Sequence, residues 1–265
     1  MENTGLTREE LQQLGLSEEE IEAVLGTQDN GGGAGLPFPL VKVNYDLDLG
    51  KLGTMVYNPQ KNEDGIYESA EKVYEGNYRL RLLASYYQYV KFDANQGKAV
   101  ITSNIFKLAD AKKAFDLKTG KLIKDLKKND DQIKWQRIAL VEIAEEDGSD
   151  KHLAVFYIKG AFNYDLGDII KKELKGGLEN YIVLTLNNKK QKKGSVTYYT
   201  PELVKSDLLS KKDILNDIKE VAGELKQFND WVKNVNASAE VDTINTTTNP
   251  TVTNAGDDDD EIDWY

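Results

Sequence analysis

Cysteine is missing from this 265-residue chain, and histidine (His152) occurs once. Without thiols, disulfides and thiolate metal sites are excluded, and a lone imidazole cannot complete a zinc site of the usual Cys/His type. No metal and no cofactor are expected. Long apolar runs are also missing: no stretch nears the roughly 20 residues that a membrane helix needs, and the N-terminus has no apolar signal core. The reading is a protein of a reducing cytoplasm, with no membrane partner. Phosphate-cradling motifs are absent too. None of Gly50-Lys51, Gly97-Lys98 and Gly120-Lys121 is followed by Ser or Thr, and the glycines of 31–35 lack GxGxxG spacing.

What is present is charge, unevenly placed. The net charge is -11, yet residues 1–30 hold one basic residue (Arg8) against eight acidic ones, and residues 257–265 add six more carboxylates. Residues 31–256 hold 33 basic residues against 31 acidic ones, so the body is slightly cationic between two anionic ends. The low overall pI therefore does not argue against a polyanionic ligand.

The pattern along the chain divides it into five parts. Residues 1–25 read as a small helical hairpin or arm: Thr7 with Glu10 and Ser17 with Glu20 have capping-box spacing, and Gly15 separates the two turns. Such short helices bury little surface unaided, so a docked hairpin and an arm that folds on a partner both fit. Residues 26–35 are a Gly-rich linker. Residues 36–235 form the main domain. Strands are expected near 40–46, 52–58, 71–92 with a break at Gly76-Asn77, 98–107, 135–145, 152–159, 181–187 and 194–200. Short helices are expected at 109–115 and 165–175, and a longer one at 211–234. There Ile214, Ile218, Val221, Leu225, Phe228 and Val232 make one apolar stripe that packs on the body. Residues 236–256, rich in Thr and Asn, read as a disordered linker, and the sequons at Asn236 and Asn245 as parts of it. Residues 257–265 are an acidic tail.

The segment Tyr78–Phe92 (YRLRLLASYYQYVKF) carries the functional signal. Residues two apart share a face of a strand, which puts mostly apolar side chains on the even positions. The odd face then holds Arg79, Arg81, Tyr87, Tyr89 and Lys91. Rings that stack on unpaired bases, next to cations that hold phosphates, are what single-stranded nucleic acid requires. An ordinary antiparallel strand with Tyr and Arg on its outer face is the plainer reading. Lys107–Arg137 holds ten basic residues against five acidic ones, Lys112 and Lys113 among them, and ends in Trp135 and Arg137 beside further cations. Asn187–Lys193 reads as a basic turn with Lys189, Lys190, Lys192 and Lys193, followed by Tyr198 and Tyr199.

Catalytic readings have less support. Asp46 with Asp48, and Asp165 with Asp168 and Glu173, leave a Mg²⁺-dependent nuclease conceivable, but such pairs arise by chance in a chain with 30% charged residues. His152 lies in a strand-like run with no nucleophile beside it, so no catalytic residue is assigned.

The tail Asp257, Asp258, Asp259, Asp260, Glu261, Ile262, Asp263, Trp264, Tyr265, tethered by a Thr/Asn-rich linker to a strand-rich body, resembles bacterial and bacteriophage single-stranded-DNA-binding proteins. The resemblance implies an OB-like β-barrel that holds DNA, with a C-terminal packing helix. It also implies a tail that recruits replication or recombination proteins such as a polymerase or helicase. In that reading the protein is not an enzyme and coats single-stranded DNA during phage replication, recombination or repair. The Trp-Tyr ending departs from the single terminal Phe usual in the family. The alternative from another class is a structural or adaptor protein, a virion or scaffold component whose acidic ends dock on other proteins.

Overall fold

Gly76 adopts φ +70 and ends one apolar run, so the chain breaks at the expected place into β3 (Lys72–Tyr74) and β4 (Tyr78–Asp93). The computed structural model describes residues 7–18, 20–21, 36–46, 51–57, 72–93, 95, 98–173, 179–194 and 196–244. Its other strands are β1 (Leu40–Asp46), β2 (Lys51–Tyr57), β5 (Lys98–Thr102), β6 (Lys134–Glu145), β7 (His152–Ile158), β8 (Ile182–Lys193) and β9 (Val196–Leu208). The helices are α1 (Arg8–Gln13), α2 (Ile123–Lys127), α3 (Gly160–Glu173) and α4 (Lys211–Ile244), with a 3-10 turn at Leu108–Lys113. The chain is mainly β with a C-terminal helix, as its sequence predicts.

The strands form one sheet in the order β3-β2-β1-β7-β6-β4-β8-β9, with β5 also paired to β4. β1 and β7 pair in parallel and the other pairs are antiparallel. The sheet curls into a half-barrel. Its flanks meet where Thr54 Oγ1 donates to Asn188 Oδ1 (2.8 Å) and Asn188 Nδ2 donates to the Tyr74 carbonyl (3.4 Å). The Tyr74 hydroxyl also lies 2.8 Å from both the Asp150 carbonyl and His152 Nδ1, so the sole imidazole belongs to a structural network.

Both faces of the sheet are covered over part of their length. On one face α4 lays Ile214, Ile218, Val221, Leu225, Phe228 and Val232 on Leu83, Ile138, Leu140 and Val155. Fully burying each such side chain stabilises by about 1.5–3 kcal/mol, so the stripe is the main attachment of the helix. Leu11, Leu16 and Ile21 are buried in the same cluster, and Lys211 Nζ meets Glu10 Oε2 at 2.9 Å. The two capping boxes form: Glu10 N donates to Thr7 Oγ1, Glu20 N to Ser17 Oγ, and each glutamate accepts in return. On the other face Tyr78, Leu80, Leu82, Ala139, Val141 and Phe156 enclose Phe162, Leu166 and Ile170 of α3.

Several elements differ from the expectations: β5 stops at Thr102, β9 runs on to Leu208 and α3 starts at Gly160. α4 runs on to Ile244, into the stretch read as linker, and the Asn236 side chain holds both backbone groups of Ile105 (2.7 and 2.8 Å). The basic run at 187–193 is the end of β8, and the chain turns only at Gly194 (φ +62). A ribbon with both faces in solvent needs no apolar alternation, which hid it from a pattern search. The helix α2 was not anticipated, because five residues make too short a period to read.

Candidate nucleic-acid interface

A β-bulge decides which residues of β4 share a face. Leu82 pairs with Val141 but Ala84 with Leu140, so Leu83 is an extra residue and the alternation inverts there. Tyr78, Leu80 and Leu82 therefore face the same way as Ser85, Tyr87 and Tyr89. Arg79 and Arg81 face the opposite way, with Tyr86, Gln88 and Val90. The expected single odd face of cations and rings is split.

The split places several expected contact residues out of a ligand's reach. Tyr87 is 5% exposed, stacked on Trp135 (centroids 5.1 Å apart) and on Phe106 (6.4 Å), with the Arg137 guanidinium 4.9 Å from its ring centre. Arg137 is buried, donating from Nη1 to Ser85 Oγ (2.9 Å) and from Nε to Asn163 Oδ1 (3.3 Å). Tyr89 stacks on Phe106 (5.4 Å) under the Lys127 ammonium, and burial raises its phenol pKa. Half-buried Trp135 also meets the exposed ring of Tyr164 edge-on. These rings stack on one another around Ala114, Ile123 and Ile133, forming a small core beneath residues 103–133. Arg81 is buried and meets Asp217 Oδ2 of α4 at 3.1 Å. Half-buried Arg79 lies against the Gly148 turn, and Lys91 is paired with Asp130.

The remaining expected residues lie apart from that core. Lys112 and Lys113 are exposed on the 3-10 turn, Lys113 bonded to Asp110. Lys189, Lys190, Lys192, Lys193, Tyr198 and Tyr199 lie on the β8–β9 ribbon, with Lys189 held by Glu202 (2.6 Å). Register puts Tyr198 opposite Gln191 and Tyr199 opposite Lys190, so the two rings face opposite ways. The ribbon leaves the sheet past Tyr78, whereas Tyr89 and Trp135 are at the other end of β4. At about 3.3 Å per residue, some 40 Å of strand separates the two ends. Asp257, Asp258, Asp259, Asp260, Glu261, Asp263, Trp264 and Tyr265 lie outside the described residues, as do the Gly-rich linker and Asp48.

Rings and cations do share a face, the one to which the even positions of β4 turn after the bulge. An open groove of about 330 Å³ is lined by Gln88, Val90, Phe92, Ala99, Thr102, Gln136, Tyr157 and Lys159. The Phe92 ring is 63% exposed. Lys134 pairs with Val90 and so projects on the same face, exposed, and Lys159 lines the groove itself. Crowding by neighbouring atoms holds the Lys159 ammonium below its usual pKa, although the side chain still reaches solvent. One row nearer α4, the Lys107 ammonium lies 5.5 Å from the centre of the Tyr86 ring. Tyr86 donates its hydroxyl to Asn229 Oδ1 (2.7 Å), and burial pushes its pKa up to about 12. α4 thus covers the sheet as far as Tyr86 and leaves the groove beyond it open.

Sequence reasoning missed this groove because it treated the even positions as core throughout. The signal that could have found it is Gln88, a polar residue inside an otherwise apolar stripe. Its cross-strand partner is Gln136. Asp168 is paired with Lys172, and Glu173 accepts from Ser206. Among the described residues no three His, Asp or Glu side chains gather as a metal site. No described helix is long and apolar enough to cross a membrane. No family model, curated protein or solved structure matches the chain.

Proposed function

We propose that this protein binds single-stranded DNA, without enzymatic activity, through the groove at the β4–β5–β6–β7 end of the half-barrel. The observation that carries the reading is the groove itself: an exposed phenylalanine, a tyrosine, an amide pair and Lys159 line it, and Lys134 projects on the same face. Flat rings stack on unpaired bases at about 1–3 kcal/mol per base, and flanking ammonium groups hold the phosphates. The curled sheet, with α3 filling its interior, serves as an OB-like platform in this reading. The exposed lysines of the 3-10 turn and the β8–β9 ribbon are further, separate contacts. The tail at 257–265 recruits replication or recombination proteins and competes with DNA for the cations.

The test is a fluorescence-anisotropy titration with oligo(dT) and with duplex of equal length, across a salt series and with and without Mg²⁺. Oligo(dT) should bind more tightly, with log K falling by about 0.7 per log of salt for each phosphate neutralised. A flat salt response or equal affinity for duplex would overturn the reading. No binding to either would favour the adaptor reading, and loss of substrate with Mg²⁺ the nuclease.

A further inference from the structure

The floor of the groove contains a hydrogen-bond acceptor with no partner, and its chemical sense is fixed. The Ser103 carbonyl can only accept, and Gln88 reaches it at 2.9 Å, so Gln88 presents Nε2 there. The Gln88 oxygen is thereby turned to Gln136, 3.0 Å away, which must present its own Nε2. Gln136 Oε1 is left over, buried and without a partner. A buried amide oxygen with no donor is rare in folded proteins, because forming no bond costs the full loss of its hydration. Gln136 is 4% exposed, yet it lines the same groove as Phe92 and Lys159.

We propose that the groove seats one nucleobase edge-on, with a ring N–H of the base donating to Gln136 Oε1 and Phe92 lying against the base's face. The inference rests on the nucleic-acid reading above and adds the part of the ligand that is recognised. An acceptor in the floor calls for a donor. Thymine, uracil and guanine carry a ring N–H on the edge that pairs in a duplex, flanked by a carbonyl. In a duplex that edge is already occupied, so only an unpaired base can offer it. Preference for single strands then follows from hydrogen-bonding chemistry in addition to stacking. The groove oxygen is shielded when no base is present. Lys159, the lining side chain with the most rotatable bonds, swings aside to admit the base and donates to its carbonyl or to the adjoining phosphate.

The experiment compares oligo(dT) with an oligonucleotide of equal length in which every thymine is N3-methylated, using the full-length wild-type protein and Gln136→Leu. N3-methylation removes the one N–H donor of thymine and leaves its ring face and phosphates in place. The wild type should bind the methylated strand about tenfold more weakly or worse, and Gln136→Leu should weaken oligo(dT) by a similar factor and abolish the difference between the strands. Equal affinity of the wild type for both strands would overturn the proposal and leave the single-strand reading intact. So would a difference that persists in Gln136→Leu, since bulk alone would then explain it. Failure of the wild type to bind either strand would remove the functional reading itself.

Discussion

Replacing Tyr87 with alanine is expected to destabilise the folded chain by about 3–5 kcal/mol, the range for truncating a buried aromatic residue. The ring is 5% exposed and is stacked between Trp135 and Phe106 with a guanidinium at its face. Removing it opens a cavity in the small core under residues 103–133 and also leaves Arg137 without its ring partner. Aromatic stacking adds about 0.5–1.5 kcal/mol beyond burial, so a loss near the upper end of the range is expected. Urea unfolding followed by tryptophan fluorescence measures it, as a fall in the midpoint at unchanged slope. An unaltered midpoint would mean that Tyr87 faces solvent and that the bulge does not set the alternation as described. The same substitution on a surface stacking platform would leave stability within about 0.5 kcal/mol and reduce only binding.

Neutralising the lysine that lines the groove together with the one beside it on the same face, Lys159→Gln with Lys134→Gln, is expected to have the largest effect on DNA affinity. Each phosphate contact on a single strand contributes about 0.7 to the salt slope, so the double variant should lose about 1.4 from it. At about 50 mM salt the same relation gives roughly eightfold per contact, and so about 70-fold for the pair. Both side chains keep solvent contact, and thermal unfolding should therefore move little. The corresponding pair on the ribbon, Lys190 and Lys192, is set apart from the groove by most of the length of β4 and should change affinity less. An unchanged slope in the groove variant, with a lowered one in the ribbon variant, would move the site to the ribbon.

Much of the architecture was legible because it depends on local patterns. The break at Gly76-Asn77, both capping boxes and the stripe from Ile214 to Val232 all follow from spacings of two to four residues. The proposed site was not legible, and the reason is physical. A single extra residue at Leu83 exchanges the two faces of β4, and nothing in an alternation count marks which residue is extra. The residues that suggest binding in the sequence are rings and cations. In β4 and β6 those side chains pair with one another, as Arg137 does with Tyr87, because a guanidinium over a ring is stabilised without a ligand. The mixture that reads as an interface in one dimension also reads as a self-satisfied core. Only pairing partners across the sheet distinguish the two. In the groove that partner is Gln136 for Gln88, which leaves one oxygen over. On the ribbon, opposite faces for Tyr198 and Tyr199 break up what the sequence presents as an adjacent pair.

The central claim is that a single strand lies in the groove lined by Gln88, Phe92, Gln136, Tyr157 and Lys159. Photocrosslinking an oligonucleotide carrying 5-iododeoxyuridine, followed by mass spectrometry of the crosslinked peptides, locates it directly. Crosslinks should fall on Phe92 and Tyr157, and Tyr87 and Tyr89 should remain unlabelled. Labelling confined to Tyr198 and Tyr199, or appearing on Tyr87, would contradict the account.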